Sequence, residues 1–506
     1  MRTQFPKYLL VAALLSAAAL MLRCGGNSAS LPAPTAAPST PSSTTNAAPP
    51  AMGSVVVFGQ DAPVCDVISF TVTITSATLT PESGGAPVSV LASGTPVTVD
   101  FARLMDFSTI LNFASVPSGT YANATLMLSN PQLVVLDTTK TPPAPTTVAT
   151  TLTASTIPVS IQPALDVTSS AAAGLQVEFD LRKSVQVDAN GQVTGTVSPV
   201  FDVSPSTESA ENGLGEVDEL TGLVQSVSTT SSTASFTGSF TLLTEDGSVR
   251  TVNTTSSTEF DSEEEDNSGL GQLAAGIFVE ADVFVDANGN IVAKDVEAEE
   301  QEDESNHKSA FVGLVTSVTR DASGAATQFT VFVRAEEPDE SSLVPMRTSL
   351  TVAVSESTRF KVTANGINEA GLEFSSTTLG VGQEVVVHGQ TPANPKSSAL
   401  TAKAVFLRLR SVVGNFSTLL AQATAGSGAF TLTPCGPLFQ GQPITVITFE
   451  DTAFVGVSGV AGLTAQPTLV VKGLLFYEPQ PITVNGVAVT TPGWVLEAKK
   501  VHQLNP

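Results

Sequence analysis

The sequence is poor in the residues that carry chemistry. Its 506 residues include only 3 His, 3 Cys, 1 Trp and 3 Tyr. There is no H-E-x-x-H, no G-x-S-x-G, no C-x-x-C and no glycine-rich phosphate loop, so zinc-protease, serine-hydrolase, redox-pair and nucleotide chemistry lack their usual scaffolds. One Trp and three Tyr leave little for an aromatic sugar platform. Positive charge is scarce as well: 22 Lys plus Arg stand against 47 Asp plus Glu, a net charge of -25. A polyanion is repelled by phosphate backbones, which argues against nucleic-acid binding. Charged residues make up 14% of the chain, below the ~25% of ordinary soluble domains.

Val, Thr, Ser, Ala and Gly fill that space. Val and Thr are stiff at χ1 and suit strands, and 38 Gly with 32 Pro punctuate the chain as turns. The pattern predicts an all-β protein. The negative charge is uneven: residues 208–308 hold 23 Asp plus Glu and 3 Lys plus Arg, which is -20 of the total.

The first 24 residues read as an export signal. Arg2 and Lys7 precede an apolar run from Tyr8 to Leu22, the right length for a signal peptide and short for a membrane span. It ends at Leu20-Met21-Leu22-Arg23-Cys24. This ending resembles a bacterial lipoprotein signal, which implies that Cys24 is lipidated. Met21 and Arg23 depart from that pattern, and the alternatives are ordinary cleavage near Ala17 to Ala19 or an uncleaved anchor. Residues 25–51 are nearly all Ser, Thr, Ala, Pro and Gly, a composition that buries no core and makes a tether. Gly25 is not Asp, which favours the outer membrane.

The body then divides. Residues 52–205 are expected to form an antiparallel β-sandwich, immunoglobulin- or prealbumin-like. Ile68 to Thr75 alternates with period two, and Pro117-Ser118-Gly119-Thr120-Tyr121 turns into a strand with Tyr at a corner. Ala102 to Phe113 is a short helix or a wrapped loop, and Asp188-Ala189-Asn190-Gly191 is a hairpin turn. Three blocks follow, at 218–300 (acidic), 309–408 and 409–506, each expected to be an OB-like barrel of five strands with its own core. Gly222-Leu223-Val224 recurs as Gly313-Leu314-Val315 and around Val413-Gly414. Phe240-Thr241-Leu242 recurs as Phe329-Thr330-Val331 and Phe430-Thr431-Leu432. Thr258-Glu259-Phe260 recurs as Thr358-Arg359-Phe360 and Thr452-Ala453-Phe454, with the Phe residues 100 and 94 residues apart. A stretch ending Gly276-Ile277-Phe278-Val279 recurs as Gly382-Gln383-Glu384-Val385 and, more distantly, Leu469 to Gly473. The last motif is Ala293-Lys294, Ala402-Lys403 and Ala498-Lys499.

In this order the motifs resemble a family of short bacterial repeats of unknown function. The first domain resembles a second uncharacterised family found in bacterial cell-surface lipoproteins. The resemblance implies an envelope location and a modular β architecture, with no activity or site attached.

Few residues stand out as candidates. Asp261, Glu263, Glu264, Glu265 and Asp266 could hold calcium, as could the loop-like Asp286-Ala287-Asn288-Gly289-Asn290, although an acidic run is more often a solvated loop and Asp-Ala-Asn-Gly a plain turn. His307, His388 and His502 read as structural or exposed, the last two in equivalent strand ends. Cys65 and Cys435 either pair over a long range or remain buried thiols. Asp61, Asp66, Asp100 and Asp106 would have to converge in a cleft to make a carboxylate hydrolase. The reading is therefore a membrane-tethered surface lipoprotein, non-enzymatic, without cofactor, that binds an envelope or extracellular ligand or serves as structural display. The alternative is a calcium-stabilised adhesion or scaffold module.

Overall fold

A computed structural model describes residues 51–504 except 63–64, 66, 92–94, 106, 190–191, 207–212, 231–234, 245–247, 262–268, 299–307, 338–345, 363–369, 391–398, 423, 425, 464–466, 485–486 and 490–492. The signal segment, Cys24, the tether, Glu263 to Asp266 and His307 lie outside the described residues. Asp261 ends the strand Glu259–Asp261. No described helix is long and apolar enough to cross a membrane.

The chain is all-β, as the Val/Thr alternation predicts. In the first domain Val67–Pro81, Gly119–Asp137 and Thr156–Val167 form one face, while Met52–Ala62, Ala173–Asp180, Phe201–Pro205 and Thr109–Pro117 form the other. The faces meet through a single bridge, Val203 to Ile161. Phe70 and Phe101 stack on Phe179, and Phe201 meets Phe101 and Phe179 edge-on. Most ladders are antiparallel, but Met52–Ala62 runs parallel to Ala173–Asp180, because the long excursion between them returns the chain in the same direction. Tyr121 is buried, and its hydroxyl donates to the Pro117 carbonyl at 2.6 Å, so the corner is locked by the residue that starts it. Ala102 to Phe113 is neither helix nor loop throughout: a short 3-10 turn, Phe101–Arg103, leads into the edge strand Thr109–Pro117.

Each of the three blocks closes on itself. In the first, Gly215–Ser228 pairs with Gly238–Thr244 and Phe278–Val285, Val249–Thr254 pairs with Ile291–Ala298 in parallel, and Ile291–Ala298 pairs back to Phe278–Val285. Writing the strands 1 to 5 in chain order, the circuit is 1-2-3-5-4-1. The second block repeats it with Lys308–Arg320, Ala326–Glu337, Ser349–Ala353, Glu384–Gln390 and Ala399–Gln422. The third repeats it with Ala399–Gln422, Gly428–Pro434, Ile444–Val455, Thr468–Glu478 and Gly493–Gln503.

The recurring sequence motifs are the joints of this circuit. The motif threonines donate to the last-motif carbonyls at the same 2.8 Å in all three blocks: Thr258 to Ala293, Thr358 to Ala402 and Thr452 to Ala498. The motif phenylalanines sit beside the fifth strand, Phe260 at Val296, Phe360 at Val405 and Phe454 at Val501. The first-strand glycines are required for close approach. A Cβ at Gly222, Gly313 or Gly414 would lie 2.4, 2.2 or 2.5 Å from a second-strand carbonyl oxygen, and in each barrel the register slips by one just beyond, after Val224, Val315 and Phe416.

The blocks do not stand apart. Ala399–Gln422 is one continuous strand serving the second and third barrels, across residue 408. Phe278, Val312, Val386 and Phe406 form an apolar seam between the first and second barrels. Val56, Phe58 and Ile110 of the sandwich extend the first barrel's core, and Ile68, Val134 and Leu136 pack on Leu314 and Phe332 of the second. The reason is composition. With so few charged residues the outer barrel faces are also Val-rich, and burying them against one another is favourable at roughly 25 cal/mol per Å².

Candidate functional site

The covalent link between distant parts is Cys65 to Cys435, with Cα atoms 5.5 Å apart across 370 residues of sequence. It joins the sandwich to the third barrel and settles the open choice in favour of pairing.

A cavity of about 230 Å³ opens where the sandwich and the barrels meet. Its apolar wall includes Leu104, Met105, Phe107, Ile110, Leu111 and Met346. Its lining also holds six arginines, Arg103, Arg250, Arg334, Arg347, Arg408 and Arg410. These are six of the eleven arginines in a chain of net charge -25. They come from the sandwich, from each of the first two barrels and from the strand Ala399–Gln422.

The inner arginines are engaged in the fold. Arg408 is fully buried and ion-paired at 3.0 Å to both Glu219 and Glu280 of the first barrel, while its Nη1 has no hydrogen-bond partner among the described residues. Glu219 also accepts from the Leu409 amide at 2.7 Å. Burial pushes both carboxyls up, Glu280 well above the ordinary range, against the pull of Arg408. Arg334 pairs with Glu384 at 3.2 Å and donates to the Ile68 carbonyl at 2.6 Å, tying the second barrel to the sandwich. Arg410 donates to the Gly382 carbonyl and lies over the Phe439 ring. Burial lowers its pKa to about 10.

A second cluster lines the same junction. Asp218 of the first barrel takes Lys472, and Lys499 at 3.2 Å, from the third. Lys499 also reaches Asp282 at 3.0 Å. Burial raises the Asp218 carboxyl, but the two lysines win and hold it well below the usual range. The same two aspartates hold Lys499 charged despite its burial. Lys472 lies 4.4 Å from the centre of the Phe107 ring, on the cavity wall.

The sequence candidates fall elsewhere. Asp286 closes its hairpin, accepting from the Asn288 and Asn290 amides at 2.9 and 2.8 Å, and Asp321 caps an equivalent turn through Ser323 and Ala325. No group of metal-holding side chains occurs among the described residues. Asp61 is buried and accepts from the Leu181 amide at 3.3 Å, its carboxyl raised well above normal by burial. Asp100 accepts from the Ser69 hydroxyl and the Phe70 amide. Asp66 and Asp106 lie outside the described residues. His388 and His502 are not equivalent. His388 is in a fourth strand, edge-on to Phe278 and Phe406, whereas His502 is in a fifth strand. The fourth-strand bulges align His388 with Asp282 and Lys472 instead. Sequence reading missed the cavity because its arginines are spread from 103 to 410. Only their scarcity elsewhere could have flagged them.

Comparison with known proteins agrees in outline. Residues 52–194 match the family model described as Domain of unknown function (DUF4382), and residues 221–297 match Domain of unknown function (DUF5666). No curated protein matches. The solved structure of drosophila Unr CSD456 is similar over 57% of this chain and 97% of its own, at 12% identity and a TM-score of 0.13. The matches fit an arrangement of two domains of unknown function in succession.

Proposed function

We propose that this is an exported, membrane-tethered envelope protein whose β-modules act together as one rigid binding or display body, without catalysis. The observation that carries this reading is the joining of modules across sequence. A disulfide, buried ion pairs and shared apolar seams hold the sandwich and three barrels together. Independent beads on a string would need none of these. The disulfide supports an oxidising compartment, since such bonds persist mainly outside the cytoplasm. The closed barrels remove strand edges, which suits a Val- and Thr-rich protein outside the cell. The closed five-strand circuit supports reading each block as OB-like, a plan that binds ligands on exposed faces and loops. The apolar segment ending at Cys24 supports lipid anchoring. Fractionation of cells, with mass spectrometry of the mature N-terminus, tests the location. Recovery with membranes through a lipid-modified Cys24 is expected, and recovery as a free soluble protein with an unmodified N-terminus refutes it.

A further inference from the structure

We propose that the seam between the first barrel and the strand Ala399–Gln422 is a pH-sensitive clasp, tightened when Glu280 takes up a proton in mildly acidic surroundings and loosened when it gives that proton up. The inference goes beyond the binding or display reading and does not depend on it.

The first barrel turns an acidic face to the seam. On the antiparallel strands Phe278–Val285 and Ile291–Ala298, Glu280 lies directly opposite Glu297, and Asp282 directly opposite Asp295. Two successive rungs of one face therefore carry four carboxyls, and like charges directly opposite each other work against pairing. Glu280 and Asp282 are buried. Their cations come from across the seam: Arg408 lies 3.0 Å from Glu280, and Lys499 lies 3.0 Å from Asp282.

Arg408 is not held by Glu280 alone. It also meets Glu219 at 3.0 Å, so two buried carboxyls share one guanidinium. The two are unlike. Glu219 accepts from the Leu409 amide at 2.7 Å, which favours its charged form. Neither oxygen of Glu280 has a hydrogen-bond partner among the described residues, so Arg408 acts on it as a charge alone. A carboxylate without hydrogen bonds in a dry site is the one that a proton stabilises. Burial pushes the Glu280 carboxyl well above its ordinary value, with Glu219, Glu297 and Asp282 pushing the same way and Arg408 opposing them. Arg103 bears on Glu219 and Arg408, and Glu384 on Arg408. His388 stands along the same seam, edge-on to Phe278.

The raised folded value sets the direction. Its stability is complete below the unfolded value of 4.5 and is lost as pH climbs through the folded one. Once Glu280 ionises, two buried negative charges share one cation, with Glu297 opposite. The contact weakened is the one that joins the first barrel to the strand Ala399–Gln422, so the loss falls on that seam.

Urea unfolding of the disulfide-intact chain at mildly acidic and mildly alkaline pH compares wild type with Glu280→Gln. The amide has the shape of the protonated acid and no proton to release. The wild-type midpoint should fall on the alkaline side, and that of Glu280→Gln should fall markedly less. A merely structural Glu280 would instead shift the midpoint equally at both pH values. Hydrogen exchange at the Leu409 amide, whose acceptor is Glu219, reads the seam in wild type alone and decides the matter if the variant does not fold. It is set against the amides of Gly119–Asp137 in the same sample, which cancels the base catalysis common to all amides. That ratio should rise about tenfold or more between the two conditions, as the seam opens locally. Equal pH dependence of the two midpoints, or a Leu409 ratio that does not change with pH, overturns the proposal.

Discussion

Replacing Arg408 by leucine removes a cation bonded to two buried carboxyls, Glu219 and Glu280, at 3.0 Å each. The side chain is fully buried, so water cannot take its place. Deleting one partner of a buried ion pair costs about 3–5 kcal/mol, because the charge left behind stays desolvated. Here two charges are left behind, and part of the loss is recovered when they take up protons. That recovery gives the prediction its signature. Burial already raises both carboxyls above the ordinary 4.5, and Arg408 opposes the rise. A carboxyl whose folded pKa is raised contributes stability that is complete below its unfolded pKa and lost as pH climbs through the folded value. Without Arg408 both folded values climb further. The deficit should therefore be largest at neutral pH and shrink as pH falls toward 4.5. Urea unfolding of wild type and Arg408→Leu at neutral and mildly acidic pH measures it. A deficit below about 1 kcal/mol at neutral pH, typical of exposed pairs, or one that stays constant with pH, refutes the reasoning.

Other expectations follow from single contacts. Gly313→Ala places a Cβ 2.2 Å from the Phe332 carbonyl oxygen, and should cost about 2 kcal/mol or more of overpacking, read from the urea midpoint. An unchanged midpoint means that the strand does not coil there. Reduction of Cys65–Cys435 opens a link spanning 370 residues and should lower stability by up to about 5 kcal/mol, less where the junction ion pairs hold the ends. Thiol titration of the unfolded, unreduced protein should find neither of these two cysteines free. Calcium should leave the melting temperature unchanged, since the Asp286 carboxylate is already used by its own turn. A rise at millimolar calcium would restore the calcium-stabilised alternative, with Glu263 to Asp266 as its ligands.

What was legible in the sequence is what is local or periodic. Alternating Val and Thr announced strands, and the recurring Gly, Thr, Phe and Ala-Lys marked positions that the structure shows bonded to one another: Thr358 to Ala402, Phe360 beside Val405, Gly313 against Phe332. Each motif is read correctly because its cause lies within one barrel. Lys472-Gly473 marks the third block's fourth strand, but the sequence reading sets His502 beside His388 as equivalent strand ends, whereas the bulge shows Lys472 to be the counterpart of His388. The junction could not be read at all. Arg103, Arg250, Arg347 and Arg408 have ordinary neighbours in sequence and meet only after four modules pack. The Cys65–Cys435 bond is of the same kind. Two isolated cysteines give no signal until the sandwich and third barrel are side by side.

The bulge position also explains why buried charge is kept at a junction where apolar contact would suffice. Three barrels with the same circuit and similar Val-rich faces could pack in several orders, since apolar surface discriminates weakly. At the equivalent fourth-strand bulge the first barrel carries Asp282, the second His388 and the third Lys472. Asp282 receives Lys499 of the third barrel, and Lys472 reaches back to Asp218 of the first. Two faces of the first kind, or two of the third, would bury like charges against each other, while the native pair matches Asp218 and Asp282 with Lys472 and Lys499. A buried ion pair adds little net stability over a well-packed apolar one, so its effect here is on which faces meet. A double-mutant cycle on Asp282→Asn and Lys499→Met should give a coupling of about 0.5–3 kcal/mol between barrels far apart in sequence. Strictly additive effects would mean that the order of the barrels is set by the covalent connections and the Val seams alone.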